Sequence, residues 1–330
     1  MTLRLVQLRL PDGSRAVASL TEAGGRLING AASTRALAEA AIAAGRGLAE
    51  QVAAQGLGDP VDVQAALAEG RVLAPIDHDD PAHLLLTGTG LTHLGSAAER
   101  DRMHAKLAAS DSLTDSMKMF QMGLEGGKPG PGETGVAPEW FYKGDGSTLA
   151  APEAALTSPA FALDGGDEAE IAALYLIGPD GTPHRLGFAL ANEFSDHVTE
   201  KQNYLYLAHS KLRASALGPE LRVGELPDTV HGTSRIVRDG ETIWEKSFLS
   251  GEANMSHSLA NMEGHHFKYA LFRRPGDAHV HYLGAAAFSF SQDIRVQPGD
   301  RFEIEADAFL LPLRNTMAVA NVETVAVKAL

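Results

Sequence analysis

Cysteine is absent from this 330-residue chain, and no long hydrophobic run is present. The missing thiols exclude disulfides, zinc–thiolate sites, iron–sulfur clusters and a thiolate nucleophile. Any bound metal must therefore be held by carboxylates, histidines or water. Because no stretch reaches about 18 apolar residues, the sequence predicts no transmembrane helix. We also expect no secretory signal, since the N-terminus has no basic segment followed by an apolar one.

Positive charge is scarce as well. The chain has 28 Lys and Arg against 42 Asp and Glu, a formal net charge of −14. Such a surface repels phosphate backbones and anionic lipids, so we expect neither a nucleic-acid nor a membrane partner. Hydrophobic residues make up 44% of the chain, enough for a buried core in a soluble protein. We expect a cytoplasmic protein.

The pattern of short elements suggests two domains. Short strands fill the first thirty residues, and Ser33 or Thr34 can begin a helix running to about Gln55. After the polar residues 78–81, short apolar runs alternate with turns rich in glycine and aspartate, with helices expected over 97–108 and 255–272. We predict a small N-terminal α/β domain over residues 1–78 and a mainly β catalytic domain over residues 79–330.

Two glutamates open an apolar strand in the middle of the chain. Glu168 and Glu170 point to the same side because side chains alternate along a strand. Two carboxylates this close repel each other unless they are solvated, protonated or bridged by a cation. A hard divalent ion such as Mg²⁺ suits an all-oxygen site. On this pair alone, a solvated strand entrance is the simpler interpretation.

A second apolar strand, within residues 187–197, ends in a polar cluster. Glu193 in this cluster can supply a third oxygen ligand. The alternative is a turn or helix cap built from Asn192, Ser195 and Asp196. Lys211 follows, and a lysine without further context is typical of a surface position.

Two pairs of histidines have spacings that can also bind metals. His279 and His281 share a strand face, and His257 and His265 share a helix face. We favour packing roles for both pairs.

Taken in order, five segments of the chain resemble the fumarylacetoacetase superfamily. Residues 168–178 are similar to the family's E-x-E-L-A-x-V-I-G strand, and residues 187–195 to its G-Y-x-x-x-N-D-x-S segment. Lys211 with residues 217–219 matches a lysine that precedes L-G-P. Residues 141–144 correspond to F-x-K-P and residues 298–300 to a P-G-D turn. The resemblance covers about residues 72–305.

The resemblance implies a fold, a metal and a set of roles. The fold is α+β and mainly β, a twisted mixed β-roll with flanking helices, in a homodimer or higher homo-oligomer. Mg²⁺ or Mn²⁺ is held by three glutamates, with Glu193 standing where the family usually has aspartate. Lys211 stabilises a developing enolate of a small 2-oxo acid substrate. The substrate-binding positions are Lys143, Ser96, Asn192 and Ser195.

One departure from the family bears on the reaction. Hydrolases of the superfamily carry G-L-N-Y-x-x-H-x-x-E, which aligns with residues 90–99. Ser96 stands at the histidine position, Glu99 is retained, and His93 stands at the tyrosine position. Serine is not basic enough to activate water near neutral pH, so the hydrolytic pair is broken. This favours β-elimination, with Glu99 and His93 as the candidates for the two proton transfers.

The chain resembles most the GguC-like branch associated with sugar-acid catabolism. The resemblance implies a magnesium-dependent hydro-lyase that dehydrates a 2-keto-3-deoxy sugar acid, such as a pentonate, to a semialdehyde. One alternative is an acylpyruvate-type C–C hydrolase in which His93 is a displaced base. A further alternative is a family member without catalysis that serves as a metal-dependent binding protein.

Overall fold

The computed structural model describes residues 2–94 and 113–330. The strands of these ranges are β1 Arg4–Arg9, β2 Arg15–Thr21, β3 Gly24–Ile28, β4 Leu57–Val61, β5 Leu84–Gly90, β6 Glu139–Asp145, β7 Leu149–Ala150, β8 Ala155–Ser158, β9 Ala169–Ile177, β10 Pro183–Asn192, β11 Ser215–Leu217, β12 Leu221–Val223, β13 Val230–Arg238, β14 Glu241–Ser250, β15 Ala278–Tyr282, β16 Arg301–Ala306 and β17 Leu313–Val319. The α-helices are α1 Thr34–Ala43, α2 Leu48–Gln55, α3 Val63–Ala68, α4 Asp115–Gly126, α5 His197–Gln202, α6 Leu207–Lys211 and α7 Leu259–Phe267.

These strands form two sheets. The larger has twelve strands in the order β4-β3-β2-β1-β12-β10-β9-β15-β5-β6, with β11 and β7 branching from β10. The smaller has five strands in the order β14-β13-β16-β17-β8. Most neighbours are antiparallel, but β15 runs parallel to β5 and β17 parallel to β8. The expected α+β, mainly β architecture with mixed sheets and flanking helices is confirmed.

Strand β9 shows how the sheet is buried on both faces. Ile171, Ala173 and Tyr175 belong to the core between the two sheets. The alternate residues, from Ala172 to Leu176, belong to a second core that includes α1 and α2. A strand covered on both sides needs apolar residues at nearly every position, which explains the continuous apolar run in the sequence.

The N-terminal strands extend the large sheet. Strand β1 pairs with β12, so that Arg4 lies opposite Arg222. The boundary near residue 78 stays a prediction. The expectation of one helix from Ser33 to Gln55 was wrong. Ser33 does cap α1, but the chain turns at Gly45, whose φ is 63°, and α2 then begins at Leu48. Glycine adopts this left-handed conformation without steric cost.

The later helix is shorter than expected. Ser258 caps α7 by accepting a hydrogen bond from the Asn261 backbone, and α7 ends at Phe267. The helix expected over residues 97–108 lies outside the described residues. Among the residues that the structure describes, no helix has the length and apolar character needed to span a bilayer.

Candidate metal and active site

Three glutamates meet where β9 begins and β10 ends. Ala191 pairs with Glu170, and the Glu193 backbone N–H donates to the Glu168 carbonyl over 3.0 Å. The antiparallel register therefore places the three side chains on one face, next to the buried Ala172. All three are buried, and one oxygen from each lies within 4.8 Å of the others.

This carboxylate cluster lacks enough internal partners for its oxygens. Glu170 Oε2 accepts a hydrogen bond of 2.9 Å from the Gly284 backbone, but buried Glu170 Oε1 and Glu193 Oε1 have no hydrogen-bond partner. Burial and the neighbouring carboxylates raise the pKa of Glu170 well above its usual value. Burial also raises the pKa of Glu193 to about 7. A buried all-oxygen set with unpartnered atoms suits a hard divalent cation.

Lys211 is the buried cation closest to these carboxylates. Its Nζ donates to both oxygens of Glu168, at 2.5 and 2.7 Å, and to Glu193 Oε2 at 3.0 Å. The same nitrogen lies 4.9 Å from the centre of the Phe141 ring. Burial favours protonated Glu168, but Lys211 and His197 together outweigh burial and hold the pKa of Glu168 well below its usual range. Lys211 is thus part of the site and not a surface residue.

A second buried lysine comes from β6. Lys143 Nζ donates to the Phe194 carbonyl over 2.5 Å, and the side chain has no exposed area. Burial lowers the pKa of Lys143 to about 7, assisted by Lys211 and opposed by Glu193. Near neutral pH this amine can therefore carry or release a proton.

His197 contacts one of the three glutamates, Glu168, and also faces Asp164. Its Nε2 lies 3.0 Å from Glu168 Oε1, and its Nδ1 lies 3.5 Å from Asp164 Oδ2. Burial alone would lower the pKa of His197, but the carboxylates of Asp164 and Glu168 raise it to about 10. The imidazole is therefore protonated at neutral pH, with an N–H facing each carboxylate.

Asn192 and Ser195 stabilise the backbone that carries the glutamates. Asn192 Oδ1 accepts from the Glu168 backbone N–H over 3.1 Å, and Ser195 Oγ donates to the Glu193 carbonyl over 2.7 Å. Asp196 caps α5 by accepting from the Thr199 backbone. These contacts fit the capping alternative, and substrate contacts by Asn192 and Ser195 stay predictions.

His93 is buried next to this site. Its Nε2 lies 2.9 Å from Ser250 Oγ, and burial lowers its pKa to about 4. A methyl group built on Gly284, whose N–H holds Glu170, would lie 3.4 Å from His93 Nδ1. Ser96 and Glu99 lie outside the described residues.

Sequence reasoning missed several residues that shape the site. A Cβ on Gly88 of β5 would collide with Glu193 Oε1 and with the Phe141 ring, so only glycine fits there. The signal for Gly88 was a glycine within an otherwise buried strand, which often marks close approach of another group. The signal for His197 was weaker, because only its position four residues after Glu193 set it apart.

Comparison with solved structures agrees with the two-sheet architecture described above. No protein-family model and no curated protein sequence matches the chain. Among solved structures, 2-keto-3-deoxy-D-arabinonate dehydratase in its apo form is similar at 18% identity, with 97% of this chain and all of that chain covered and a TM-score of 0.70.

Two further solved structures are similar. The same dehydratase complexed with magnesium and 2,5-dioxopentanoate matches at 17% identity over 97% of this chain and all of that chain, with a TM-score of 0.69. A 2-hydroxyhepta-2,4-diene-1,7-dioate isomerase from Mycobacterium marinum matches at 15% identity over 96% of this chain and 98% of that chain, with a TM-score of 0.56. The chain has the fold expected from its resemblance to the fumarylacetoacetase superfamily.

Proposed function

We propose that this protein is a metal-dependent dehydratase of a 2-keto-3-deoxy sugar acid, pentonate-like, that produces a 2-oxo acid semialdehyde. The observation that carries the proposal is the buried set of Glu168, Glu170 and Glu193 with two unpartnered oxygens, beside Lys211. The similar dehydratase complexed with magnesium and 2,5-dioxopentanoate supports this reaction class.

The three glutamates would hold Mg²⁺ or Mn²⁺. The bound ion supplies Lewis acidity, which makes the C3 protons of a 2-oxo acid easier to remove. The cluster offers only oxygen ligands, and two of these oxygens have no hydrogen-bond partner. Hard cations such as Mg²⁺ and Mn²⁺ prefer ligands of this kind.

The two buried lysines provide the positive charge for the substrate. Lys211 stabilises the negative charge that develops on the keto oxygen as the C3 proton leaves. Lys143, on β6, binds the substrate, and the charge of Lys211 helps to lower its pKa. The electron pair released from C3 then expels the C4 hydroxyl, which leaves as water after it receives a proton. The resulting 5-hydroxy-2-oxo-3-enoate isomerises by loss of a C5 proton and protonation at C3, and the enol so formed converts to the semialdehyde.

Glu99 and His93 are the candidates for the two proton transfers. Burial keeps His93 neutral near pH 7, so its ring starts without the proton that an acid would donate. A conjugate acid with a pKa of about 4 also makes His93 a weak base, which counts equally against a proton-abstracting role here and against the alternative hydrolase that relies on it.

The proposal extends to the setting of the enzyme. We propose a cytoplasmic homodimer or higher homo-oligomer in sugar-acid catabolism, acting on a small 2-oxo acid without a nucleic-acid or membrane partner. The acidic surface is the observation that supports the absence of both polyanionic partners.

Product analysis tests the reaction. The purified protein is incubated with Mg²⁺ and a panel of 2-keto-3-deoxy sugar acids in deuterated water. We expect one product that keeps every carbon and is lighter by one water, with C3 hydrogen exchanged for deuterium. Pyruvate with a shorter acid would instead establish the hydrolase, and saturable binding of a 2-oxo acid without turnover would establish the binding protein.

A further inference from the structure

We propose that His197 is a positioning residue that fixes the orientation of Glu168 within the metal site. This inference rests on the proposed metal site. Neither ring nitrogen of His197 faces the open part of the carboxylate cluster, since one lies 3.0 Å from Glu168 Oε1 and the other 3.5 Å from Asp164 Oδ2. His197 therefore acts through Glu168 and not on the substrate.

The ring is held in one plane by aromatic neighbours. His197 stacks with Phe288 and with Phe290, with ring centres 5.4 and 5.2 Å away and interplanar angles of 17° and 20°. Gly166 is needed for this arrangement, because a Cβ there would collide with His197 Nδ1. Two stacked phenylalanine rings and the close backbone of Gly166 restrict rotation of the imidazole, so Nε2 keeps its direction toward Glu168.

The fixed ring restricts Glu168 in a way that Lys211 alone does not. Lys211 contacts both oxygens of Glu168, and these two contacts alone still allow the plane of the carboxylate to rotate about the Cγ–Cδ bond. His197 contacts only Oε1 and approaches it from the side of Asp164. Together, Lys211 and His197 define the plane of the Glu168 carboxylate. A fixed plane keeps the coordinating oxygen in one orientation for a bound metal.

Two substitutions at His197 separate the hydrogen bond from the packing. His197→Phe keeps an aromatic ring in contact with Phe288 and Phe290 but removes both ring nitrogens. His197→Gln removes the ring but places an amide nitrogen as many bonds from Cα as Nε2, so it still donates to Glu168. If the ring only fills space, phenylalanine is the better replacement; if it positions Glu168, glutamine is.

The measurement is Mn²⁺ affinity by calorimetric titration of the full-length protein, with the unfolding temperature recorded for each variant. We expect His197→Phe to bind Mn²⁺ about 10- to 100-fold more weakly than the original protein, the usual scale for losing an outer-shell partner. His197→Gln should stay within about threefold of the original affinity. Phe290→Leu, which removes one stacking ring and no donor, is the matched control.

The outcomes distinguish this inference from the proposed metal site. Absence of Mn²⁺ binding by the unaltered protein would overturn the metal site and this role together. Binding by the unaltered protein with equal affinity in His197→Phe, or with equal losses in both variants, would overturn the role of His197 alone. Should His197→Phe not fold, Asp164→Asn tests the outer end, and we expect it to weaken Mn²⁺ binding by at least about threefold.

Discussion

Two faces of the large sheet carry buried polar clusters, and they differ in charge. On one face, the three glutamates, Lys211 and His197 form a group of ions with unpartnered oxygens. On the other, His279 and His281 of β15 lie with His266 of α7 in an aromatic setting, where all three are kept neutral. Burial of polar groups is common to both clusters, so burial alone does not mark the functional one.

The histidine cluster satisfies only part of its hydrogen bonding internally, since His279 Nε2 and His281 Nε2 have no hydrogen-bond partner. Trp140 Nε1 donates to His266 Nδ1 over 3.2 Å, which assigns the ring proton of His266 to Nε2. That proton is then donated to His279 Nδ1, also over 3.2 Å, and Thr87 Oγ1 lies 2.9 Å from His281 Nδ1. Because burial keeps these rings neutral, the cluster has no charge that an added ion would balance.

The carboxylate cluster cannot reach such a balance by itself. Glu170 and Glu193 repel each other and Glu168, and burial raises the cost of each negative charge. Only the protonation of some carboxylates keeps the cluster stable without a divalent cation. The comparison teaches that uncompensated charge, rather than buried polarity, distinguishes a site that binds a ligand.

The largest effect is expected at Lys211. Lys211→Met removes the charge and keeps the length of the side chain, so it removes the cation that we propose stabilises a developing enolate. We expect kcat to fall on the order of 10²–10³-fold, the scale for losing one oxyanion stabiliser. Steady-state kinetics with the preferred 2-keto-3-deoxy acid measure this change.

A surface lysine provides the control for this substitution. Lys118 of α4 is exposed and pairs with Asp115 at 2.9 Å. Lys118→Met should leave kcat unchanged, and the unfolding temperature of both variants shows that folding survives. A loss below about threefold in Lys211→Met would mean that the charged face is not the reactive one.

A smaller effect is expected at Gly88. A methyl group there would collide with Glu193 Oε1 and the Phe141 ring. Gly88→Ala should therefore displace Glu193 and weaken Mn²⁺ binding about tenfold, comparable to the loss of an outer-shell contact. Gly264→Ala in α7 is the control, because an added Cβ there meets nothing within 4 Å. Unchanged Mn²⁺ affinity in Gly88→Ala would argue against Glu193 as a ligand.

The smallest effect concerns acid sensitivity of the histidine cluster. Burial lowers the pKa of His266 to about 4 and that of His279 to about 3, whereas an unfolded histidine titrates near 6.5. At pH values between the folded and the unfolded pKa, only the unfolded state binds a proton at each histidine. The stability is therefore fully present above about pH 6.5 and is lost as the pH falls below that value. From pH 7 to 6, each histidine should lower the free energy of unfolding by less than about 1 kcal/mol.

Urea denaturation at several pH values measures this dependence. His279→Phe should make the loss of stability between pH 7 and 5 shallower, because one proton fewer is bound on unfolding. Exposed His231 provides the control substitution, His231→Gln. An unchanged slope in His279→Phe would show that the cluster is not held neutral.

Local patterns predicted much of the fold but not its long-range pairing. The apolar runs of β9 and β10 correctly indicated strands, and Ser33 correctly marked a helix start. The break at Gly45 was missed because the apolar residues before and after it keep the spacing of a single continuous helix. The pairing of β1 with β12, more than 200 residues apart, left no signal in either segment.

The candidate site divides in the same way. Glu168 and Glu170 could be paired from strand alternation, since their geometry is local. Local reasoning offered Glu193 as a third oxygen ligand beside a capping alternative and placed Lys211 at the surface, and the resemblance to known enzymes implied a role for both. His197, Gly88 and the Gly284 N–H contribute through contacts between distant segments, and these depend on the folded register.

The most direct test of the carboxylate cluster is a Mn²⁺ titration of the unaltered protein and of Glu170→Gln, with the unfolding temperature measured without metal. Glutamine keeps the size of the side chain and removes a carboxylate whose pKa is already raised. We predict one ion per chain for the unaltered protein, binding at least about tenfold weaker in Glu170→Gln, and an equal or higher unfolding temperature. Equal Mn²⁺ affinity in the two proteins, or no binding by either, would contradict the account.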